Sequence, residues 1–351
     1  MPKEGAWQDN KLQTNMEKTQ RKGIIAAGNW VADTVKFIDV YPQKGNLTTI
    51  TGVDVGLGGL AHNVLVDLAS MKSGLPLYAG GCIGADDNGR ICLDACDRFG
   101  IDRTNVHILE GELTAYTDVM TEKGGARTFF HYRGANAHLD VEKVLSCQSP
   151  ARIFHLGYLL LLDSLDKEDP EYGIAAARAL DGLTRMGYET SVDVVSEEGN
   201  RYRQVVLPCL KYTDYLIINE VEAENSLGIK LRKGDGSILF SDVEAAARKL
   251  LDLGVRKLVV IHFPEGGVAA AKDGRCCSAP SFSPDKSEIV STVGAGDAFC
   301  AGALYAIHEG YSLEDLLDFA SASARFNLFS TTSTGGAPTL ETIQAFIASQ
   351  K

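Results

Sequence analysis

The sequence predicts a doubly wound α/β domain, a mostly parallel sheet with helices on both faces, carrying a small separate β-sheet lid. Three observations predict it. Strand-like and helix-like apolar patterns alternate along most of the chain; the segment Thr114–Tyr132 breaks the alternation with two adjacent strand patterns; and a small-residue turn, Gly294–Gly296, opens directly onto an apolar helix.

A chain of 351 residues can bury a large core and still carry a smaller appendage. With 45% hydrophobic and 23% charged residues it has the composition of a globular domain. No apolar run approaches the roughly 20 residues of a membrane helix, so no membrane partner is expected. Residues 1–22 are polar, with no apolar stretch for a secretory signal, and read as a flexible N-terminal arm ahead of a single domain over residues 23–351. A net charge of −12 argues against a nucleic-acid partner, which needs a concentrated basic face. The eight cysteines contain no C-x-x-C pair and the seven histidines no H-E-x-x-H, so spacing offers no zinc motif. The thiols read as reduced core residues of a cytoplasmic protein.

The first strand pattern is Gly23–Gly28, followed by strand-like stretches at Thr34–Val40 and Thr48–Val55. A helix over Leu60–Met71 precedes a strand at Pro76–Gly81 and a helix at Asn88–Phe99. Thr114–Thr121 and Ala126–Tyr132, joined by Glu122-Lys123-Gly124-Gly125, form a hairpin. With the stretch 34–55 they make up the lid, which therefore draws on residues 34–55 and about 112–135. Alternation resumes with strand Ile153–Leu156, helix Tyr172–Met186 and strands Thr190–Val194 and Tyr215–Ile218. It continues through the last third and ends in helices at Gly296–Gly310 and Leu313–Phe329.

The chemistry concentrates in Ser291-Thr292-Val293-Gly294-Ala295-Gly296-Asp297. Glycines let the backbone approach a ligand, and free amides at a helix start attract anions, so phosphate fits there. Asp297, in the first helical turn, can take a proton from a hydroxyl beside that phosphate; alone, it would more often only offset the helix dipole. Asp33 follows the first strand and Asn63 follows Gly58-Gly59, where short polar side chains can bind adjacent hydroxyls of a small ligand or simply serve turn and cap. Asn219-Glu220-Val221-Glu222 lies beyond a buried strand, with Asn219 and Glu222 spaced as an oxygen-bearing pair or as a capping box. Gly56-Leu57-Gly58-Gly59-Leu60-Ala61 also satisfies G-x-G-x-x-A, a dinucleotide pattern, but it does not follow the first strand, and Gly80 and Gly81 stand where an acidic residue is needed. Gly-Lys does not occur, which excludes a Walker loop.

Taken in order from about Gly23 to Pro338, these motifs resemble the ribokinase-like (PfkB) carbohydrate kinases. The resemblance implies an ATP-dependent sugar kinase using Mg²⁺, with Asp297 as catalytic base and Gly294, Ala295 and Gly296 as the anion hole. It implies acceptor contacts from Asp33, Gly59, Asn63 and Arg133, nucleotide-side contacts from Asn219, Glu222, His262, Gly267 and Ser321, and a metal role for Glu222. It also implies a lid that can pair two copies into a homodimer. Three positions depart from the pattern: Leu65 replaces a small residue, Pro264 a glycine before the nucleotide, and Ser291 an Asp of the monovalent-cation loop. The competing classes are a sugar sensor without turnover and an NAD-dependent oxidoreductase.

Overall fold

The computed structural model describes residues 21–350 except 124, 125 and 198. Most of the expected N-terminal arm, and the two glycines of the lid turn, lie outside the described residues. Arg21 is already docked, its guanidinium donating to the carbonyls of Ala151 and Met186 at 3.0 Å.

Fifteen strands and ten helices are described. The strands are β1 (Ile24–Gly28), β2 (Val31–Ile38), β3 (Ile50–Gly58), β4 (Leu77–Gly84), β5 (Asp102–Leu109), β6 (Ala115–Glu122), β7 (Arg127–Tyr132), β8 (Ile153–Leu159), β9 (Glu168–Asp169), β10 (Gly173–Ile174), β11 (Glu189–Val194), β12 (Tyr215–Asn219), β13 (Leu258–Phe263), β14 (Gly266–Ala271) and β15 (Cys276–Pro280). The helices are α1 (Leu60–Ser70), α2 (Asp87–Phe99), α3 (Val141–Ser146), α4 (Ala175–Arg185), α5 (Tyr202–Cys209), α6 (Glu220–Leu227), α7 (Phe240–Asp252), α8 (Ala295–Glu309), α9 (Leu313–Asn327) and α10 (Leu340–Gln350).

Nine strands form the central sheet in the order β15-β14-β13-β12-β11-β8-β1-β4-β5. From β13 to β5 every pairing is parallel. The inner strands are buried on both faces, and their alternation feeds two cores. Ile24 and Ala26 of β1 pack into the core under α1, α8 and α9, while Ile25 and Ala27 pack into the opposite one under α4, α5 and α7. The chain runs outward from β1 through β4 to β5, then returns to place β8 on the other flank of β1. That reversal puts the topological switch point between β1 and β8, where α/β sheets bind ligands beyond the strand ends.

The last third departs from the expected alternation. β13, β14 and β15 form an antiparallel meander with no crossover helix between them. β14 reads Gly-Gly-Val-Ala-Ala-Ala and is buried throughout, and its small side chains give little strand signal. A Cβ on Gly266 would lie 2.5 Å from the Phe240 ring, so tight packing selects small residues there. The edge strand β5 and the final helix α10 were also not foreseen.

The second sheet is the lid, in the order β3-β2-β6-β7. β2 pairs antiparallel with β3 and parallel with β6, and β6 and β7 form the expected hairpin. The corner between β1 and β2 is pinned by Asn136, whose carboxamide accepts from the Trp30 amide at 3.2 Å and donates to the Trp30 carbonyl at 3.0 Å. Trp30 Nε1 donates to Gly80 O at 2.9 Å, fixing this corner to the neighbouring strand. Among the described residues no helix is long and apolar enough to cross a membrane.

Candidate active site

The carboxyl ends of β1 and β8, the first turns of α1 and α8, and the lid base converge at the switch point. Gly294 caps α8 with φ 79°, and a Cβ there would lie 2.1 Å from Ser333 O, so conformation and contact both demand glycine. Gly296 differs. A Cβ on it would meet only His262 Cε1, at 3.5 Å, an ordinary contact. Internal packing does not require that glycine; its bare backbone faces the cleft, beside the first-turn amides that a helix leaves without intrahelical acceptors.

Asp297 follows in that turn and is buried. Its Oδ1 accepts from the Tyr158 hydroxyl at 2.6 Å and its Oδ2 from Asn63 Nδ2 at 2.7 Å. Burial raises its pKa, and the two donors pull it back toward the ordinary value. Tyr158 stays a donor, because burial first and the Asp297 charge second hold its phenol well above the usual range. The Asn63 carbonyl is occupied as well, by Ser333 Oγ at 3.0 Å and His62 Nδ1 at 2.9 Å. The carboxamide is thus oriented toward Asp297 by its own partners.

Asp33 sits on β2 opposite Gly56 and Thr117. A Cβ on Gly58 would lie 2.3 Å from Asp33 Oδ2, so the Gly58-Gly59 turn makes room for this carboxylate. Burial raises the Asp33 pKa to about 6, against a lowering hydrogen bond from Thr117. Gly59 caps α1 with φ 84°, its Cβ position 2.3 Å from Asn29 O. Gly56–Ala61 therefore belongs to a lid strand and its junction with α1. A dinucleotide site needs such glycines in the first βα turn of the core, which corrects the oxidoreductase alternative. Arg133 ends the lid hairpin and pairs with Asp163 at 2.5 Å, away from Asp297's hydrogen-bonding shell.

Asn219 and Glu222 form a complete capping box at the start of α6: Glu222 N donates to Asn219 Oδ1, and Asn219 N to Glu222 Oε2, both at 2.9 Å. Ser196 Oγ adds a hydrogen bond to Glu222 Oε1 at 2.7 Å. Burial raises the Glu222 pKa to about 7, opposed by these hydrogen bonds and reinforced by Glu220 and Asp297. Beside this pair opens a cleft of ≈ 390 Å³ bounded by His262, Phe282, Ala295, Gly296, Ser321 and Leu328. His262 stacks on Phe299 with ring centroids 4.6 Å apart, and burial lowers its pKa to about 4, so it is neutral. Ser321 Oγ accepts from Phe282 N at 3.0 Å. Gly267 is not on this wall. It lies under Leu317 of α9, and Gly266 lines the cleft instead.

Tyr158, Ser196 and Asp193 were missed by sequence reasoning. Tyr158 had one available signal, its place at the carboxyl end of the strand flanking β1. Its partner Asp297 is 139 positions away, beyond any local pattern.

A parallel sheet with a glycine-flanked helix start at its switch point, an adjoining cleft and a four-stranded lid defines the class of lid-bearing α/β kinases. Residues 26–340 match the pfkB family carbohydrate kinase domain, and the chain belongs to that family. It is an ATP-dependent sugar kinase. Among curated relatives, a ribokinase of Schizosaccharomyces pombe is 27% identical over 305 residues, covering 85% of this chain and 89% of its own. A 5-dehydro-2-deoxygluconokinase of Clostridium beijerinckii is 25% identical over 351 residues, covering 95% of each. The structure of Arabidopsis thaliana ribokinase complexed with ribose and ATP superposes with a TM-score of 0.76 at 21% identity, covering 93% of this chain and 99% of that one.

Proposed function

We propose that the protein transfers the γ-phosphoryl group of ATP to a hydroxyl of a sugar or sugar-like acceptor, with Asp297 as the base. The observation that carries this reading is the buried Asp297 carboxylate, held by Tyr158 and Asn63 in the first turn of a helix whose glycine backbone opens on the cleft. The acceptor hydroxyl gives its proton to Asp297 as its oxygen bonds to the γ-phosphorus, and the bond to the leaving ADP oxygen breaks. The Gly294–Gly296 backbone receives the charge spread over the transferring oxygens. Asp33, Gly59, Asn63 and Arg133 stand on the acceptor side, Asn63 also orienting the base. Asn219, His262 and Ser321 stand on the nucleotide side.

The Glu222 carboxylate beside the Ser196 hydroxyl presents oxygen, which suits a hard cation that keeps its waters, so Glu222 is the residue that would hold Mg²⁺. Bound there, the ion would neutralise phosphate charge. Asp297→Asn keeps the shape of the helix start but cannot accept a proton, so ATP binding survives while transfer falls by about 10²–10⁴. Calorimetry and an ADP-release assay with ribose and 5-dehydro-2-deoxygluconate measure the two arms. Turnover within about threefold of wild type removes Asp297 from this role, and acceptor binding without any turnover in the wild type favours the sensing alternative.

We also propose that the lid pairs with the lid of a second copy. Its outer strands expose apolar side chains, Val55 at 65% and Phe129 at 60%, a patch of the kind that marks an interface. Val55→Glu with Phe129→Glu shifts a dimer to monomer in sedimentation; a wild type already monomeric at high concentration overturns the proposal.

A further inference from the structure

Beneath Asp297, three potential ligands from three separate elements meet in the interior: His155 of β8, Asp193 of β11 and Cys300 of α8, one helical turn beyond Asp297. One ligand atom from each lies within 4.8 Å of the other two, and all three residues are buried. We propose that they bind a divalent ion of intermediate softness, of the zinc class, through His155 Nε2, the Asp193 carboxylate and Cys300 Sγ.

Three observations carry this. First, the nitrogen and sulfur have the spacing of a metal site. Tetrahedral zinc, with bonds of about 2.0–2.1 Å to nitrogen and about 2.3 Å to sulfur, sets those two atoms about 3.5 Å apart. Here Nε2 and Sγ stand 3.6 Å apart. Second, the imidazole is oriented for ligation. Its Nδ1 faces Ser191 Oγ at 2.9 Å, the outer-shell partner that leaves Nε2 free to bind. Third, Asp193, 7% exposed, buries its Oδ1 with no hydrogen-bond partner. A thiol donating to imidazole would account for the Nε2–Sγ distance alone, but it leaves that oxygen unmatched. Burying an unpaired carboxylate is costly, and a bound cation removes the cost.

An imidazole, a carboxylate and a thiolate together select zinc or its neighbours over magnesium, which prefers oxygen alone. Cys300 gives up its thiol proton as the ion binds. The ion is therefore distinct from the phosphate-side cation assigned to Glu222, and it ties together the strand bearing Tyr158 and the helix bearing Asp297. No spacing motif announces it, because the ligands come from positions 155, 193 and 300.

The test uses the full chain, purified without chelator and in parallel refolded with cobalt(II). Elemental analysis is expected to find about one equivalent of zinc. The cobalt form should show a thiolate-to-metal charge-transfer band, and metal removal should lower the melting temperature. Cys300→Ala and His155→Gln should each lose the metal and the band, with circular dichroism reporting whether they fold. The wild-type measurement stands even if a variant does not fold. Absence of metal and of the band from native and refolded wild type overturns the proposal, as does metal retained by both variants. An Asp193→Asn variant that changes only the magnesium requirement, in a protein without zinc, assigns that carboxylate to the phosphate side and also overturns it.

Discussion

Tyr158→Phe takes one hydrogen-bond donor from Asp297 and leaves the ring that packs beside it. The Tyr158 hydroxyl reaches Oδ1 at 2.6 Å, and the carboxylate is buried, so water cannot readily substitute. A hydrogen bond to a charged group contributes about 1.5–3 kcal/mol. The donor favours the ionised carboxylate, so its loss lets Asp297 hold its proton to higher pH, in the direction burial already pushes. At about 1.4 kcal/mol per pH unit, the acidic limb of kcat/KM for the acceptor moves up by about one to two units. Below that limb the rate falls by about ten- to hundredfold, while KM for ATP holds. Coupled ADP release, followed across pH at saturating ATP, measures both. An acidic limb that stays where the wild type has it refutes the link between this hydroxyl and the base, whatever happens to the rate at neutral pH.

Two further substitutions separate the acceptor and nucleotide sides. Asp33→Ala weakens acceptor binding by about ten- to hundredfold and leaves ATP affinity without acceptor unchanged, both read by calorimetry. Because the Asp33 pKa is raised to about 6, its ionised, hydroxyl-accepting form is lost as pH falls through that value; wild-type acceptor affinity drops there, and Asp33→Asn flattens the dependence. Glu222→Gln raises the magnesium concentration for half-maximal activity more than the acceptor requirement. The wild-type magnesium requirement should itself rise as pH falls below about 7, where Glu222 takes up its proton, and an unchanged titration in the variant leaves the residue as a helix cap only.

What the sequence displayed was local chemistry. The Gly294–Asp297 turn was legible because glycine conformation and helix-start amides act within a few residues. β1 and β12 were legible as apolar runs, and β8 as one interrupted by His155. The Asn63–Asp297 contact joins positions 234 apart, and no property of Asn63 itself distinguishes a ligand-facing amide from one that orients a carboxylate. Glu222 shows a related limit, because the spacing that serves a cap also serves a cation, and the capping box occupies the same oxygens. In β14 the wall of the cleft is Gly266, and strand alternation turns Gly267 inward against α9.

The lid meets the core along one end only. β2 begins and β3 ends there, at the paired Val31 and Gly58, and β6 begins and β7 ends there, around Tyr116 and Tyr132. A plate fastened by four chains along a single edge can swing about that edge but resists sliding or twisting, so its motion reduces to one degree of freedom. Displacement grows with distance from the fastened edge. In such a swing the far end, where Ile38 pairs with Ile50 and Thr121 with Arg127, would sweep the longest arc. Asp33, two positions beyond Val31, would hardly travel. The carboxylate proposed to contact the acceptor would thus keep its place as the lid swings, and closure would serve chiefly to shut out water that competes with the acceptor.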